Sequence, residues 1–121
     1  MEISFSKFEK VTMQDKSFAH DLLGMYIVEL EDYLQQLPDI ISQKDVAAYR
    51  FLNHKVRSLI NTLEAFFLLD AQTHLLHQLN KNENTQDIAA SQQQLEKQTR
   101  ELIQILTDKQ KYYAELNNQV A

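Results

Sequence analysis

The sequence predicts an all-α fold, an antiparallel four-helix bundle with a short N-terminal cap segment, spanning residues 1–121 as one domain. Three observations predict it. The 121 residues include one Gly and one Pro; turns lean on those two residues, so the chain consists of a few long elements. Leu, Gln, Glu, Lys and Ala, all good helix formers, dominate the rest. Apolar residues make up 44% of the chain, enough for a core and too many for disorder, and they recur at three- and four-residue spacing.

Residues 1–13 carry Ile3, Phe5, Phe8 and Val11 in weak alternation, a short cap that is part helix and part extended. Asp15 or Ser17 starts the first long helix, whose apolar face is Phe18, Leu22, Met25, Tyr26, Leu30, Tyr33, Leu34 and Leu37. Pro38 breaks or kinks it, and residues 39–44 make the corner. Asp45 caps the next helix, with Tyr49, Leu52, Val56, Leu59, Ile60 and Leu63 facing inward. An apolar run at residues 64–69 marks a buried junction, after which Asp70 caps a shorter helix carrying Leu75, Leu76 and Leu79. Residues 80–86 form a polar loop, and Asp87 caps a last helix reaching about Asn118. Its heptad-like seam is Leu95, Thr99, Leu102, Leu106, Tyr113, Leu116 and Val120, interrupted by Lys109; its length leaves its C-terminal end protruding.

Composition also excludes. There is no Cys, hence no disulfide, thiol nucleophile or thiolate metal site. Met1 to Phe5 lack the basic patch and apolar run of a signal peptide, and no stretch approaches the ~18 apolar residues of a membrane span. A cytoplasmic location without membrane insertion is the expectation. The net charge of -5 disfavours nucleic acid as a partner.

The four histidines are the candidates for chemistry. His20 is isolated and reads as surface. His74 and His77 lie one turn apart, a spacing that can bring two imidazoles to a metal; with no third ligand in view, a solvated or half-buried pair is the reading. His54 differs. On helical geometry it points roughly 170° away from the apolar face of its own helix. Arg50, Arg57, Ser58 and Asn61 share its outer stripe. Between Val46 and Leu63 there is no acidic residue, whereas between Lys16 and Lys44 the preceding helix carries Asp21, Glu29, Glu31, Asp32 and Asp39 without a Lys or Arg. A basic patch around an exposed imidazole suits an anion, and a neutral imidazole is a competent nucleophile. A solvated polar face accounts for the same pattern.

Residues 53–63, Asn-His-Lys-Val-Arg-Ser-Leu-Ile-Asn-Thr-Leu, resemble the signature of histidine-containing phosphotransfer (HPt) domains: His, any residue, an aliphatic, Lys or Arg, then usually Gly, with an aliphatic further on. His54, Val56, Arg57 and Leu63 match it. Ser58 stands where Gly is usual, Leu59 and Ile60 replace small residues, and Glu64 occupies the place of a second Gly. The resemblance extends over about residues 15–80 and reaches the last helix by topology alone.

That resemblance implies a phosphocarrier rather than an enzyme with its own active site. His54 would accept and donate the phosphoryl group, and Arg57 would steady its oxygens, with Arg50 and Lys55 adding weaker attraction. Ala47, Phe51, Ser58 and Asn61, with Arg50 and Lys55, would form the docking surface. The partner would be a response-regulator receiver domain or a hybrid sensor histidine kinase, which supplies the aspartyl phosphate and the Mg²⁺; this chain would bind no cofactor and act as a monomer. A structural adaptor that only docks or dimerises through the last helix is the competing reading, and it turns on whether Leu102, Leu106 and Tyr113 are buried within one chain.

Overall fold

The computed structural model describes the backbone of residues 2–120 and the side chains of residues 2–117. Every regular element in it is a helix: α1 (Ser6–Val11), α2 (Lys16–Ser42), α3 (Val46–Lys55), α4 (Arg57–Leu63), α5 (Phe66–Asn80) and α6 (Thr85–Val120). None is long and apolar enough to cross a membrane.

The Asp15 carboxylate opens α2 by accepting from the Phe18 N–H at 3.0 Å. The helix then runs through Pro38 to Ser42, so Pro38 does not break it, and the corner expected at residues 39–44 is corrected. A helix-interior proline withdraws one N–H from the carbonyl four residues back. Pro38 faces solvent, where water can serve that carbonyl, while buried Leu37 and Ile41 hold the last turn to the core. The corner is residues 43–45, with Lys44 left-handed at φ 52. The inner face of α2 also differs in phase from the expected one. Ala19, Leu23, Leu30, Tyr33, Leu37 and Ile41 are buried, whereas Phe18 and Met25 are 45% and 60% exposed. Residues 22–28 are apolar almost all round, so periodicity alone leaves the phase open there; packing decides it.

Asp45 caps α3 as expected, accepting from the Ala48 N–H at 3.0 Å. All six expected inward residues, Tyr49 to Leu63, are buried. The single helix expected over them is two, however, separated at Val56 (φ -101, ψ 2), whose N–H turns to the Asn53 carbonyl at 3.3 Å. α4 stops at Glu64, which is left-handed at φ 54, ψ 36. The next helix begins at Phe66 rather than at Asp70, because buried Ala65 and Leu68 draw the chain back onto the core at once. The polar loop shortens to residues 81–84. Asn84, not Asp87, closes the start of α6 by accepting from the Gln86 N–H at 2.7 Å, and Asp87 sits in the first turn, where its charge suits the helix dipole.

Around the core, α2 packs on α6, α6 on α5, α5 on α3 and α3 on α2; α4 rests on α3, α5 and α1. Lys44 Nζ donates to Asn82 Oδ1 at 2.9 Å, so the α2–α3 corner and the α5–α6 loop meet at one end. The α6 seam is consumed inside the chain: Leu95, Thr99, Leu102 and Leu106 are at most 1% exposed and Tyr113 5%. Val120 lies outside the described side chains. The C-terminal half of α6 is covered rather than protruding as far as Leu116, because Phe8 packs on Tyr26 and Tyr113 with ring centroids 6.0 and 6.3 Å away. Lys109, the charge in the seam, holds its ammonium 4.6–5.3 Å from the rings of Phe5, Tyr112 and Tyr113, a cation–π arrangement that offsets its loss of water. Gly24, the lone glycine, lets α6 approach α2. A Cβ there would stand 3.0 Å from Gln110 Nε2, which donates to the His20 carbonyl at 3.2 Å.

Because α2 is helical on both sides of Pro38, Pro38→Ala restores a missing backbone bond without touching the core. It should raise unfolding free energy by about 1–3 kcal/mol, read as an increased urea midpoint at unchanged slope.

Candidate functional site

His54 is in the last turn of α3, exposed, and its ring makes no hydrogen bond to another described residue. It lines an open groove of about 290 Å³ between α3–α4 and α5. From its own side come Arg50, Asn53 and Arg57; from α5 come Leu69, Gln72, Thr73 and Leu76. The structure thus brings His54, Arg50 and Arg57 together even though the helix breaks between His54 and Arg57. No carboxylate lines this groove. Among the described residues neither guanidinium is in an ion pair, and Glu64, the acid nearest to Arg57 in sequence, turns to Lys7 at 3.6 Å. The groove is therefore a cationic surface open to an anion, with an exposed imidazole in it.

Lys55 belongs elsewhere. It lines the groove on the opposite flank of α3, with Glu29, Asp32, Tyr33 and Gln36, and its ammonium lies 4.8 Å from the centre of the Phe51 ring. Ala47, Phe51, Ser58 and Asn61 are all exposed, Phe51 at 63%. Ser58 and Asn61 do not line the His54 groove, and Asn61 faces a separate, open groove with Lys7, Lys10 and Val11. The stripe expected from an unbroken helix is thus divided at Val56. Of the other histidines, His20 Nδ1 lies 3.1 Å from Asp21 Oδ1, and His74 and His77 are exposed. No group of three or more His, Cys, Asp or Glu able to hold a metal occurs among the described residues.

Beneath the groove lies a polar network that the sequence reading missed. Tyr33 Oη donates to Asn53 Oδ1 at 2.7 Å and accepts from Gln72 Nε2 at 3.3 Å; Tyr49 Oη donates to the Gln72 carbonyl at 2.9 Å. All four residues are buried, and Gln72 Oε1 has no donor. The signal was available: Asn53 lies one turn after Tyr49, and Gln72 lies one turn after Leu68 on the apolar stripe of α5. A polar amide at a core register points to a buried partner. Burial drives the Tyr33 phenol well above its usual range, with neighbouring Tyr49 adding to the effect, and pushes Tyr49 up to about 12.

Comparison of the chain with protein-family models, with curated proteins and with solved structures returns no match.

The phenols make stability depend on alkaline pH. A group whose pKa is raised on folding contributes stability that is fully present below its unfolded value, ~10, and lost as pH rises through the folded value. Helical circular dichroism in dilute urea should accordingly fall between about pH 10 and 12. Tyr33→Phe should flatten that fall while lowering neutral-pH stability by about 1–3 kcal/mol, since Asn53 loses its donor.

Proposed function

We propose that the chain is a histidine phosphotransfer protein of a two-component phosphorelay. His54 carries the phosphoryl group to or from the aspartate of a response-regulator receiver domain or the receiver part of a hybrid sensor histidine kinase. The observation that carries the proposal is an exposed imidazole between two unpaired guanidiniums in a groove free of carboxylates. The ring of packing α2–α3–α5–α6, with α4 continuing α3, is read as the antiparallel four-helix bundle, and residues 2–13 as its N-terminal cap. Glu64 adds support: it is left-handed at the position where the resemblance has a second Gly, the residue that conformation favours.

In this reading the chain has no autonomous active site and binds no cofactor. The receiver contributes the aspartyl phosphate, Mg²⁺ and acidic residues. The imidazole lone pair attacks phosphorus, the bond from phosphorus to the aspartyl oxygen breaks, and its electron pair stays on the partner's carboxylate. Arg57 and Arg50 offset charge on the phosphoryl oxygens. Phe51 and Ala47, exposed on the same helix, offer apolar contact to the partner, with Ser58 and Asn61 beyond the Val56 break at its edge. The protein is a cytoplasmic monomer in this reading; with the α6 seam buried inside the chain, that seam gives no support to a dimer.

Incubation with a panel of phosphorylated receiver domains should leave acid-labile, alkali-stable label on the native chain and none on His54→Gln, with helical content unchanged. Label retained in that variant, or lost in His20→Gln, names the wrong histidine; tight receiver binding without label identifies a docking-only adaptor.

Arg57→Ala should slow transfer by about tenfold or more, the effect of losing one charge-assisted contact. Lys55→Ala, on the other flank of α3, should change it by less than about threefold, as expected of an exposed, screened charge. Equal effects in single-turnover assays contradict this division.

A further inference from the structure

We propose that the cleft between the α1–α2 turn and the C-terminal half of α6 binds a free α-amino acid with an aliphatic side chain, gripping its ammonium and carboxylate together. The cleft measures about 250 Å³ and shares no lining residue with the His54 groove, so it stands whether or not His54 carries phosphate. On its α6 wall is Tyr113, 5% exposed, whose buried hydroxyl has no hydrogen-bond partner among the described residues. Burial raises this phenol above its usual range, and the Glu9 carboxylate adds to the effect. The hydroxyl end of the ring is therefore on the side of Glu9, which also lines the cleft.

A buried hydroxyl without a partner calls for one. It has one proton to give and lone pairs to accept with, so an occupant offering an acceptor and a donor side by side satisfies it fully. The surrounding charges narrow the choice. Glu9 and Asp15 bring two carboxylates to the cleft and Lys16 and Lys109 two ammoniums, and among the described residues none of the four is in an ion pair. An anion alone would face both carboxylates, and a cation alone both ammoniums. In a zwitterion each pole has its own partner. The ammonium fits between Glu9 and the Tyr113 lone pairs. The carboxylate takes the Tyr113 proton and the charge of Lys109, whose ammonium is held at that wall 4.6 Å from the centre of the Tyr112 ring. The two poles of an α-amino acid are attached to one carbon, close enough for a single hydroxyl to serve both. Ala19 and Leu116 supply apolar wall for an aliphatic side chain. One water, with its share of about 30 Å³, does not fill this space, and pockets for drug-sized ligands start at about 300 Å³, so a metabolite-sized molecule fits.

The test is isothermal titration calorimetry of the full chain with leucine, valine, N-acetylleucine, leucinamide and inorganic phosphate. Leucine or valine should bind saturably with a Kd below about 1 mM. N-acetylleucine, which lacks the ammonium, and leucinamide, which lacks the carboxylate, should each bind at least about tenfold more weakly than leucine. Tyr113→Phe deletes only the unpartnered hydroxyl. It should keep the thermal midpoint or raise it slightly, because an unpaired buried polar atom is removed, yet weaken amino-acid binding about tenfold or more. Glu9→Gln, at an exposed position, should also weaken binding about tenfold with the fold unchanged. No saturable binding of leucine or valine at about 10 mM overturns the proposal and leaves the hydroxyl to water. So does N-acetylleucine or leucinamide binding as tightly as leucine, or phosphate binding more tightly, which would mark a site for a single charge. Native affinity in folded Tyr113→Phe overturns it as well, and if that variant fails to fold, native affinity in Glu9→Gln does so.

Discussion

The Tyr33 hydroxyl is the contact on which the arrangement of three helices depends. It is the meeting point of α2, α3 and α5, donating to Asn53 and accepting from Gln72 in an interior filled mainly by apolar side chains. Apolar packing tolerates small slides of one helix along another, because dispersion is not directional. Two hydrogen bonds through one oxygen do not, since an amide displaced by a residue would be left unpaired at a cost of about 1–3 kcal/mol. The network therefore sets the height of α3 relative to α2 and α5, and so the height at which His54 emerges. The Val56 interruption falls just beyond Asn53: α3 is anchored by that amide, and α4 is free to follow Glu64, Lys7 and α1.

Much of this was legible in the sequence, for identifiable reasons. The all-helical class followed from the scarcity of Gly and Pro. The caps at Asp15 and Asp45 followed from carboxylates placed just before apolar periodicity, and the inward face from Tyr49 to Leu63 from its spacing. The misses share a cause, which is that tertiary packing overrode local preference. Pro38 is tolerated because of where it faces. Glu64 accepts a left-handed conformation that nothing in its chemistry recommends, and α5 starts four residues before Asp70 because Ala65 and Leu68 are wanted in the core. His54, Arg50 and Arg57 were legible as a group because they are local in sequence. The α5 wall of the groove was not, since no periodicity reveals which helix lies opposite.

The N-terminal segment illustrates the same division. Phe5 and Phe8 read as apolar residues of a short cap, yet their weight is felt more than a hundred residues later, where Phe8 packs on Tyr113 and Phe5 joins the aromatic surround of Lys109. A cation at a core register would otherwise be among the more costly features of the chain.

Acidic α2 lies beside basic α3, with Glu29 and Asp32, offset in part by Lys55, on one flank of α3 and Arg50 and Arg57 on the other. Charges of opposite sign across the width of a single helix form a lateral dipole whose field turns an approaching body as well as drawing it in. An acidic surface arriving tilted would feel a torque that rotates its negative side toward α5 before any atom touches. The orienting range is set by the ionic atmosphere, about 10 Å at 0.1 M salt and about three times that at 0.01 M. In dilute buffer productive encounters would be selected by angle, whereas at high salt that selection would pass to shape alone.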